Sequence, residues 1–398
     1  MKHTGSRPYS GVRIIDLSGD LGAYSARLFA DLGAEVIHVA PPGQVDGREP
    51  WSASHAFLNA NKKSVVLDTS VPGGRQVLLD LASTAQVVLL AGDEAGRALL
   101  PEVVALPGGR VVSVFSYFGL SGPYSSFVGC DLVAQALGGI TWLSGEPGQP
   151  PLRITGDQSL FVTSLYGAVA TAMAFWDVEM TQASHVLDIS AQECIAHSLQ
   201  NTLQVYDLEG RVFSRGGTGT RDATENPFAC RDGYVFLAAP LAVPASWNGV
   251  LQWMKEEGYS GGERLREADW QDRAARATEP MKHEFKAIFE GFIGGKTKTE
   301  LAAEALKRKI VMAPVSTVSE LPGDPQLVYR NYFHRVHDRT LDRELLFPGA
   351  PYRLSEPVWS IGRGAPRPGE DTQAVLRDLP VPAANPEREG RQPCIHSS

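Results

Sequence analysis

A single acidic residue stands at the head of a long apolar stretch of this sequence. The stretch reads ITGDQSLFVTSLYGAVATAMAFW, residues 154–176, and its acid, Asp157, directly follows a glycine. An aspartate in this position commonly caps a helix, because its side chain accepts hydrogen bonds from the first backbone N–H groups. A carboxylate held as an anion by a helix end can also serve as a nucleophile in covalent catalysis. The residues alone leave both roles open.

The residue types that bind metals or form disulfides are dispersed along the chain. None of the four cysteines belongs to a CxxC pair, and the nine histidines form no motif. No HExxH, P-loop or GxSxG sequence occurs. The sequence therefore predicts no metal site, no disulfide framework and no tightly bound cofactor.

Length, charge and hydropathy argue against several classes of protein. A chain of 398 residues is expected to form two domains, and its net charge of −8 argues against nucleic-acid binding. The N-terminus lacks a signal-peptide core, and no uninterrupted apolar stretch reaches membrane-span length. Residues 159–176 come closest, but serines, threonines and a tyrosine interrupt them. We therefore expect a buried helix there, no membrane segment and a cytoplasmic protein.

The N-terminal half alternates between strand and helix patterns. Residues 12–18 predict a strand, 24–33 a helix and 34–43 a second strand, which together form a β–α–β unit. Further patterns indicate a helix at 73–83 and strands at 63–69, 86–92, 110–119 and 183–190. This alternation is typical of a doubly wound α/β sheet. The first turn lacks the GxGxxG spacing of dinucleotide-binding folds, so an ordinary NAD site is not indicated.

The C-terminal half has a different character. A helix pattern runs over 191–210, a polar glycine-rich loop follows, and residues 232–240 predict a hairpin strand. Residues 240–310 are charged and helical, and beyond about residue 364 the chain is rich in Pro, Arg and Glu. We expect this last part to lie on the surface or to be partly disordered.

Several stretches occur in the order found in a known family. Together they resemble the family III CoA-transferases, a group that also contains the 2-methylacyl-CoA racemases. The resemblance covers nearly the whole chain and is carried by GVRIIDLS, ARLFADLGAEVIHVAPPG, FLNANKKSVVLD, GLSGPY, GCDLVAQALGGI, SGEPGQPP, GDQSLFVTSLYGAVATAMA, LDISAQECI, NPFACRDGYVFLA, APVSTVSELPGDPQL and FPGAPYRLS.

The resemblance implies a fold and an assembly. The fold is α/β, with a large Rossmann-like domain built from residues 1–205 and 330–390 and a smaller α+β domain inserted at 206–329. Residues 391–398 form a tail. Two subunits of the family thread through each other as interlocked rings. We therefore expect an interlocked homodimer, or a heteromer with a related subunit.

Asp157 matches the family's catalytic aspartate. The implied activity moves CoA from an acyl-CoA, the thioester substrate, to a small carboxylic acid. The Asp157 carboxylate attacks the thioester to form an acyl anhydride, and CoA thiolate converts this into an aspartyl-CoA thioester. The acceptor acid attacks next, and returning thiolate releases the new acyl-CoA. An ionised carboxylate can perform the first attack without a separate base.

The NANKKS stretch would supply contacts to CoA by the same resemblance. Lys62 and Lys63 are the candidates for its phosphates, while Asn59 and Asn61 would fix the loop before the next strand. The alternative is an ordinary pair of solvated lysines. Arg27, on the first helix, could equally be a surface residue and is assigned no role.

Cys130 separates two activities within the family. Racemases carry a histidine there, which works with the aspartate to exchange a proton at the α-carbon, whereas transferases commonly carry a tyrosine followed by an acid. Here Asp131 follows Cys130, which favours a transferase over a racemase or epimerase. We expect Cys130 to be a small buried residue, because a thiol needs activation to act as a base. Asp131 either lines the active site or caps the helix LVAQAL.

A glycine-rich loop, SRGGTGTRD, lies where some members fold a loop over the aspartyl intermediates. Its Gly216, Gly217 and Gly219 could present backbone N–H groups to an oxyanion and exclude water. Arg215 or Arg221 could bind an acceptor carboxylate. A flexible linker between the domains is the alternative.

The chain departs from the family pattern on the nucleotide side. The family's loop for the adenosine of CoA is LAGDEAG here, residues 90–96, and Ala40 replaces the acid before Pro-Pro-Gly. A Thr-Gly-x-Gly-Gln turn is replaced by TQASH, residues 181–185. These departures predict an altered CoA pocket. They also leave a third hypothesis, a CoA-binding subunit of a heteromeric transferase.

Overall fold

The computed structural model describes residues 7–43, 52–146, 148–199, 202–213, 215 and 222–379. The chain divides into two compact units. The first takes in Met1–Thr141, Arg153–Gln200 and Gln326–Ser398, and the second Trp142–Leu152 and Asn201–Pro325. The second unit thus includes a segment, 142–152, that lies outside the small domain predicted at 206–329.

A parallel sheet forms the centre of the first unit. Within the described residues its strands lie in the order β3-β2-β1-β4-β5-β6, and every neighbouring pair is parallel. They are β1 (Arg13–Leu17), β2 (Glu35–Ala40), β3 (Lys63–Val66), β4 (Val87–Ala91), β5 (Val111–Ser116) and β6 (His185–Ser190). The central strands β4 and β5 are buried along nearly their whole length, as expected for parallel strands covered on both faces. The predicted α/β fold with a Rossmann-like sheet is confirmed.

Helices connect these strands. They are α1 (Gly19–Asp31), α2 (Ala53–Asn59), α3 (Pro72–Ser83), α4 (Glu94–Val104), α5 (Asp131–Leu137), α6 (Ile140–Leu143), α7 (Gln158–Thr181) and α8 (Ala191–Ser198). The sequence patterns do not predict α2 or α4. Helix α2 is too short for a clear apolar period, and α4 contains an internal proline, Pro101, which normally argues against a helix.

The long helix α7 packs against α1 and the sheet. Gly167 allows a close approach, because a Cβ there would lie 2.2 Å from the ring of Phe115. The Ser164 hydroxyl donates a hydrogen bond of 2.6 Å to the carbonyl of Leu21 in α1. These contacts fix the start of α7 on the body of the first unit.

The opposite face of α7 is exposed. Its apolar side chains lie at the surface, and Trp176 is 71% exposed; the set is Leu165, Val169, Met173, Trp176 and Met180. The prediction of a buried helix is therefore wrong for this face. By length and composition alone α7 is apolar enough to cross a membrane, but core helices share that property.

The second unit has its own sheet and core. The antiparallel order is β7-β8-β9, with β7 (Asn226–Cys230), β8 (Gly233–Ala238) and β9 (Val311–Pro314). Its helices are α9 (Thr202–Glu209), α10 (Pro244–Glu256), α11 (Gly261–Arg264), α12 (Arg273–Arg276), α13 (Glu279–Ile293) and α14 (Lys298–Arg308), with 3-10 turns at Ala268–Gln271 and Leu321–Gly323. The core is rich in aromatic side chains, among them Trp247, Trp253, Trp270, Phe285 and Phe289.

The C-terminal part of the chain returns to the first unit. It contains α15 (Pro325–Tyr329), the hairpin of β10 (Phe333–Asp338) and β11 (Arg343–Pro348), and α16 (Thr372–Arg377). The Asp371 carboxylate accepts from the backbone N–H of Ser64 at 2.9 Å, and the Thr372 hydroxyl accepts from that of Val66 at 3.0 Å. The segment thus covers the outer edge of β3. Val375 is buried there, while the other side chains from residue 367 to residue 379 are exposed or half-buried, so this part of the chain lies at the surface, as expected, and packs against β3.

Candidate active site

Asp157 lies in the turn that enters α7. Its backbone has φ 52° and ψ 48°, in the left-handed region, directly after Gly156 at φ 89°. A side chain in that region costs on the order of 1 kcal/mol, although aspartate tolerates it better than most residues. The Asp157 side chain makes no capping hydrogen bond and is 60% exposed. Capping, one of the two roles left open by the sequence, is therefore not what this side chain does.

Asp131 caps α7 in its place. Its Oδ1 accepts hydrogen bonds from the backbone N–H of Ser159, at 2.9 Å, and from the Ser159 hydroxyl, at 2.8 Å. Ser159 lies in the first turn of α7, whose N–H groups have no partner within the helix. Asp131 therefore caps α7 and not LVAQAL, the helix α5 that the sequence offered as its alternative role.

Arg153 joins the two carboxylates. Its Nε donates to Asp131 Oδ2 at 2.9 Å, and its Nη2 donates to Asp157 Oδ1 at 3.1 Å. The amide of Gln135 donates to the same Asp131 oxygen at 2.8 Å. One guanidinium therefore offsets part of the charge of two acids and orients the Asp157 carboxylate. Sequence reasoning missed Arg153, although its place four residues before Asp157 was an available signal.

The described cysteines Cys130, Cys194 and Cys230 are free thiols, and Cys130 is exposed. Cys130 precedes α5 with an extended backbone and makes no capping bond. The prediction of a small buried residue at this position is therefore wrong. Within the described ranges, no three His, Cys, Asp or Glu side chains come together as a metal site.

Tyr117, just beyond β5, is a residue of this region that the sequence reasoning missed. Burial raises the pKa of Tyr117 to about 12, and the negative charges of nearby acids, Asp131 and Asp157 among them, add to the effect. Its hydroxyl therefore stays protonated at neutral pH and can donate a hydrogen bond. Ligands of parallel α/β sheets bind beyond the carboxyl ends of the strands, a rule that points to the residues after β5.

Lys62 belongs to the interior. Its side chain is 0% exposed, and its Nζ donates to Asp16 Oδ2 at 2.8 Å and to the Ala23 carbonyl at 3.0 Å. His38 Nδ1 lies 3.5 Å from the same Asp16 oxygen. Burial alone would raise the pKa of Asp16, but Lys62 and His38 outweigh it and hold that pKa well below its usual range. A phosphate cannot reach this ammonium group, so the prediction of a CoA contact from Lys62 is wrong.

Lys63 faces the surface. Its ammonium group forms an ion pair with Glu35, and the Lys63 side chain is 39% exposed. Burial would raise the pKa of Glu35, but hydrogen bonds from Lys63 and Arg13 outweigh it and lower that pKa. The CoA phosphate contact of Lys63 stays a prediction, in which the phosphate competes with Glu35.

The two asparagines of NANKKS hold the chain in place. Asn59 is buried, and its Nδ2 lies 3.2 Å from Nδ1 of His55, so it cannot contact CoA directly. Asn61, at φ 65°, donates from Nδ2 to Asp31 Oδ1 and, at 2.7 Å, to the carbonyl of Ser360. These bonds agree with a loop-fixing role and also attach the C-terminal segment, which the sequence did not indicate.

Arg27, which the sequence left without a role, is buried in α1. Its Nε lies 3.3 Å from Asp31, also buried, and its guanidinium lies 4.3 Å from the ring centre of Phe57. Burial raises the pKa of Asp31 to about 6, against the lowering effect of Arg27 and Asn61. A surface position for Arg27 is thus excluded.

The altered stretch LAGDEAG is a tight strand-to-helix turn. Asp93 precedes α4 and its side chain accepts from the backbone N–H of Gly96 at 2.9 Å. Gly92 lies so close to β5 that a Cβ there would lie 2.5 Å from the Ser116 side chain. The acid that departs from the family pattern is therefore a helix cap.

The glycine-rich loop is described only in part. Gly216, Gly217, Gly219 and Arg221 lie outside the described residues. Arg215 lies in the second unit, where its Nη1 donates to the Trp142 carbonyl at 3.1 Å and its guanidinium is 4.9 Å from the centre of the Trp142 ring. The proposed contact of Arg215 with an acceptor carboxylate stays a prediction.

Known proteins resemble this chain over most of its length. It is 32% identical to the BbsE subunit of succinyl-CoA:(R)-benzylsuccinate CoA-transferase from Thauera aromatica, over 94% of this chain and 95% of that protein. It is 24% identical to the alpha subunit of succinyl-CoA–L-malate CoA-transferase from Chloroflexus aurantiacus, over 94% and 89%. In fold it matches the crystal structure of a CAIB/BAIF family protein from Brucella suis, with a TM-score of 0.84, 23% identity and coverage of 94% and 100%.

The family assignment is supported by a match to a sequence family over most of the chain. Residues 9–372 match the sequence family described as CoA-transferase family III. Both named relatives are CoA-transferases, so they give no support to the racemase alternative. The Rossmann-like sheet and these matches agree over nearly the whole chain, which therefore belongs to CoA-transferase family III and is a CoA-transferase.

Proposed function

We propose that this enzyme moves CoA from an acyl-CoA donor to a small organic acid through covalent intermediates on Asp157. The observation that carries the proposal is the placement of that side chain. Asp157 is exposed, Asp131 performs the capping in its stead, and Arg153 holds one of its oxygens at 3.1 Å. A carboxylate in this position is open to attack on a thioester carbonyl.

Each step of the proposed reaction exchanges one bond at an acyl carbon for another. A carboxylate oxygen of Asp157 bonds to the thioester carbonyl carbon, the carbon–sulfur bond breaks, and CoA leaves as thiolate. The thiolate then attacks the side-chain carbonyl of Asp157, which gives an aspartyl-CoA thioester and frees the donor acid. The acceptor carboxylate attacks that thioester, its carbon–sulfur bond breaks, and a second anhydride forms as CoA leaves again as thiolate. Returning thiolate attacks the acceptor carbonyl, releases the new acyl-CoA and restores Asp157.

We infer that the donor is succinyl-CoA and that the acceptor is a dicarboxylic acid. Both relatives carry succinyl-CoA in their names, together with benzylsuccinate or malate.

Negative charge develops on a carbonyl oxygen at each addition step, and a hydrogen-bond donor beside that oxygen lowers the barrier. The protonated hydroxyl of Tyr117 is a candidate for this donor.

Trapping of the intermediate tests the proposal. The enzyme is incubated with succinyl-CoA and hydroxylamine, and the peptides are analysed by mass spectrometry. We expect a hydroxamate on the peptide that contains Asp157, and none in Asp157→Asn. Asp177→Asn is the matched control, since Asp177 is an exposed acid near the other end of α7, paired with His185 at 2.6 Å. Absence of any adduct in the wild type, with succinyl-CoA and with a panel of other acyl-CoA donors, would overturn the mechanism.

We further infer that a second copy of this chain covers the exposed face of α7. The apolar side chains there recur every three or four residues, so they form one stripe along the helix, from Leu165 to Met180. A contiguous stripe of large apolar side chains is typical of an interface. An interlocked homodimer supplies such a partner. A heteromer with a related subunit is the alternative, because both relatives are named as subunits.

Charge placed in the stripe tests this assembly. Trp176→Glu is expected to reduce the molar mass measured by light scattering from that of two chains to that of one. Leu306→Glu is the control, because Leu306 is 85% exposed on α14 and lies outside the stripe. A mass that stays at two chains in Trp176→Glu would contradict the inference. A second, different chain in the assembly isolated from the native cells would establish the heteromer instead.

A further inference from the structure

Arg153 is anchored on one side by Asp131, and the other side of its guanidinium is exposed to solvent. Its Nε is bound to Asp131 Oδ2 at 2.9 Å, and Asp131 is itself fixed by Ser159 and Gln135. The Arg153 side chain is 43% exposed. Within the described residues its Nη1 has no hydrogen-bond partner, and its Nη2 binds only Asp157. The outer edge of the guanidinium therefore faces solvent beside the carboxylate oxygen of Asp157.

The charges of this cluster change during the proposed reaction. Two carboxylates and one guanidinium are present before it begins. When Asp157 is acylated, its side chain becomes neutral, and Arg153 loses one of its two anionic partners. Asp131 still anchors the guanidinium through Nε. The acylated enzyme therefore presents a cation, fixed in place, next to the newly bound acyl group.

We propose that Arg153 binds the non-reacting carboxylate of a dicarboxylic substrate and thereby selects dicarboxylic acyl groups. The inference rests on the proposed function, since it takes the acyl group to be attached at Asp157. A four-carbon dicarboxylic acyl group is short enough for its free carboxylate to fold back to a guanidinium beside the same aspartate. The free carboxylate of the acyl group then takes the place of the Asp157 anion, which acylation has neutralised, as a partner of Arg153.

The chemistry of arginine suits this task. Its planar fork binds a carboxylate through two parallel hydrogen bonds, and the bonds are strengthened by charge. A site built to bind a polar group discriminates strongly against an analogue that lacks the group, because its own partner is then left unpaired. Arg153 therefore disfavours monocarboxylic acyl groups of the same length.

Two acyl-CoA donors with acyl chains of equal length distinguish selection of the acyl group by Arg153 from simple positioning of Asp157. Succinyl-CoA and butyryl-CoA both carry four-carbon acyl groups, and only the first has a second carboxylate. The rate of hydroxamate formation at Asp157 is measured for each donor without an acceptor, in the wild type, Arg153→Gln and Arg153→Lys. We expect the wild type to prefer succinyl-CoA in kcat/KM, and Arg153→Gln to reduce that preference by about 10- to 100-fold. Arg153→Lys retains part of it, because the charge remains but the fork is lost.

A residue that only positions Asp157 would lower both rates equally and leave the preference unchanged. That result, or a wild type without any preference for succinyl-CoA, overturns the inference. Arg75→Gln is the matched control, since Arg75 is a partly exposed arginine of the first unit that pairs with Glu102 and has no assigned role in binding. Arg215→Gln tests the other described arginine considered for a carboxylate. Loss of the preference in Arg215→Gln but not in Arg153→Gln also overturns it. The proposed function fails separately, by the absence of any adduct at Asp157 in the wild type.

Discussion

Two acid–base pairs of the first unit have similar chemistry and opposite settings. Asp16 and Lys62 lie in the interior, 2.8 Å apart, with side chains 2% and 0% exposed. Asp157 and Arg153 lie 3.1 Å apart at the head of α7, with side chains 60% and 43% exposed. The first pair is completed by other groups of the protein, and the second is open to solvent. Burial, rather than residue type, therefore separates a pair enclosed by the fold from a pair that a substrate can reach.

The buried pair cannot change partners. Asp16 also accepts hydrogen bonds from the backbone N–H and the hydroxyl of Ser18, so its oxygens are occupied by the fold. Water and substrate cannot reach Lys62, and the pair contributes to stability alone. Among the described residues, the Asp157 carboxylate has one hydrogen-bond partner, Arg153, and the rest of the carboxylate is open to solvent. Its left-handed backbone and lack of a capping bond show that local stability does not determine its position.

Replacement of Asp157 tests the reactive side of the comparison and has the largest expected effect. Asp157→Asn is expected to lower CoA transfer on the order of 10³-fold or more, because the proposed nucleophile is lost. Stability should be unchanged or slightly raised, most clearly in Asp157→Gly, because glycine adopts the left-handed backbone without strain. Steady-state rates and Tm measure the two effects. Retained turnover, or a fall in stability typical of a lost cap, would contradict the assignment.

Replacement of Lys62 tests the structural side. Lys62→Met leaves the Asp16 carboxylate buried without its cation, and we expect a loss of about 3–5 kcal/mol in the free energy of unfolding. The neighbouring Lys63→Met breaks an exposed pair with Glu35 and should cost no more than about 1 kcal/mol. Urea denaturation of the two variants gives both values. Equal losses would show that burial does not separate these lysines.

Replacement of Asp131 tests the link between the two roles, because this residue both caps α7 and anchors Arg153. Asp131→Ala is expected to cost about 0.5–2 kcal/mol of stability and to slow CoA transfer about 10- to 100-fold. Thr297→Ala is the control, since Thr297 caps α14 in the second unit by accepting from the backbone N–H of Glu300. That variant should lose similar stability without slower transfer. Equal slowing in both variants would remove Asp131 from the site.

The third acid–base pair, Arg27 and Asp31, gives the smallest expected effect, a dependence on pH. Burial raises the pKa of Asp31 from 3.8 to about 6 in the folded protein. The folded state therefore binds this proton more tightly than the unfolded state does. The contribution to stability is present below about pH 4 and is lost as pH rises through about 6. We expect the free energy of unfolding of the wild type, relative to Asp31→Asn, to fall between pH 4.5 and pH 7. A difference independent of pH, measured by urea denaturation, would contradict the prediction.

Patterns within short stretches predicted the elements of the first unit well. Strands β1, β2, β4 and β5 lie where runs of apolar residues are bounded by turns, because buried parallel strands are apolar on both faces. The predictions failed where local pattern and tertiary environment disagree. Helix α4 was not predicted because it contains Pro101, and the apolar helix α7 exposes one face that the sequence predicted to be core.

The residues of the candidate site also divide into those that the sequence predicted and those that only the structure revealed. Asp157 could be proposed as the nucleophile from the sequence because ordered neighbouring stretches resemble a family, although its type and position alone suggested a helix cap. Tyr117 and the cap on Ser159 could not be predicted, because each depends on residues distant in sequence. Arg153 lies only four residues before Asp157, a signal that the sequence reasoning missed, but its anchor Asp131 is 22 positions away. Asp131 and Ser159 are 28 positions apart, and only the packing of α5 beside α7 brings them together.

The sequence by itself determined the fold class, the family and the position of the candidate nucleophile, since these depend on local periodicity and on the order of short motifs. The tertiary structure alone decided which of two adjacent lysines is buried, which aspartate caps α7 and which arginine faces Asp157. The physical reason is that the role of a charged group depends on its partners and on its distance from water. In this chain the partner of Lys62 is 46 residues away, and no pattern within either stretch marks the pair.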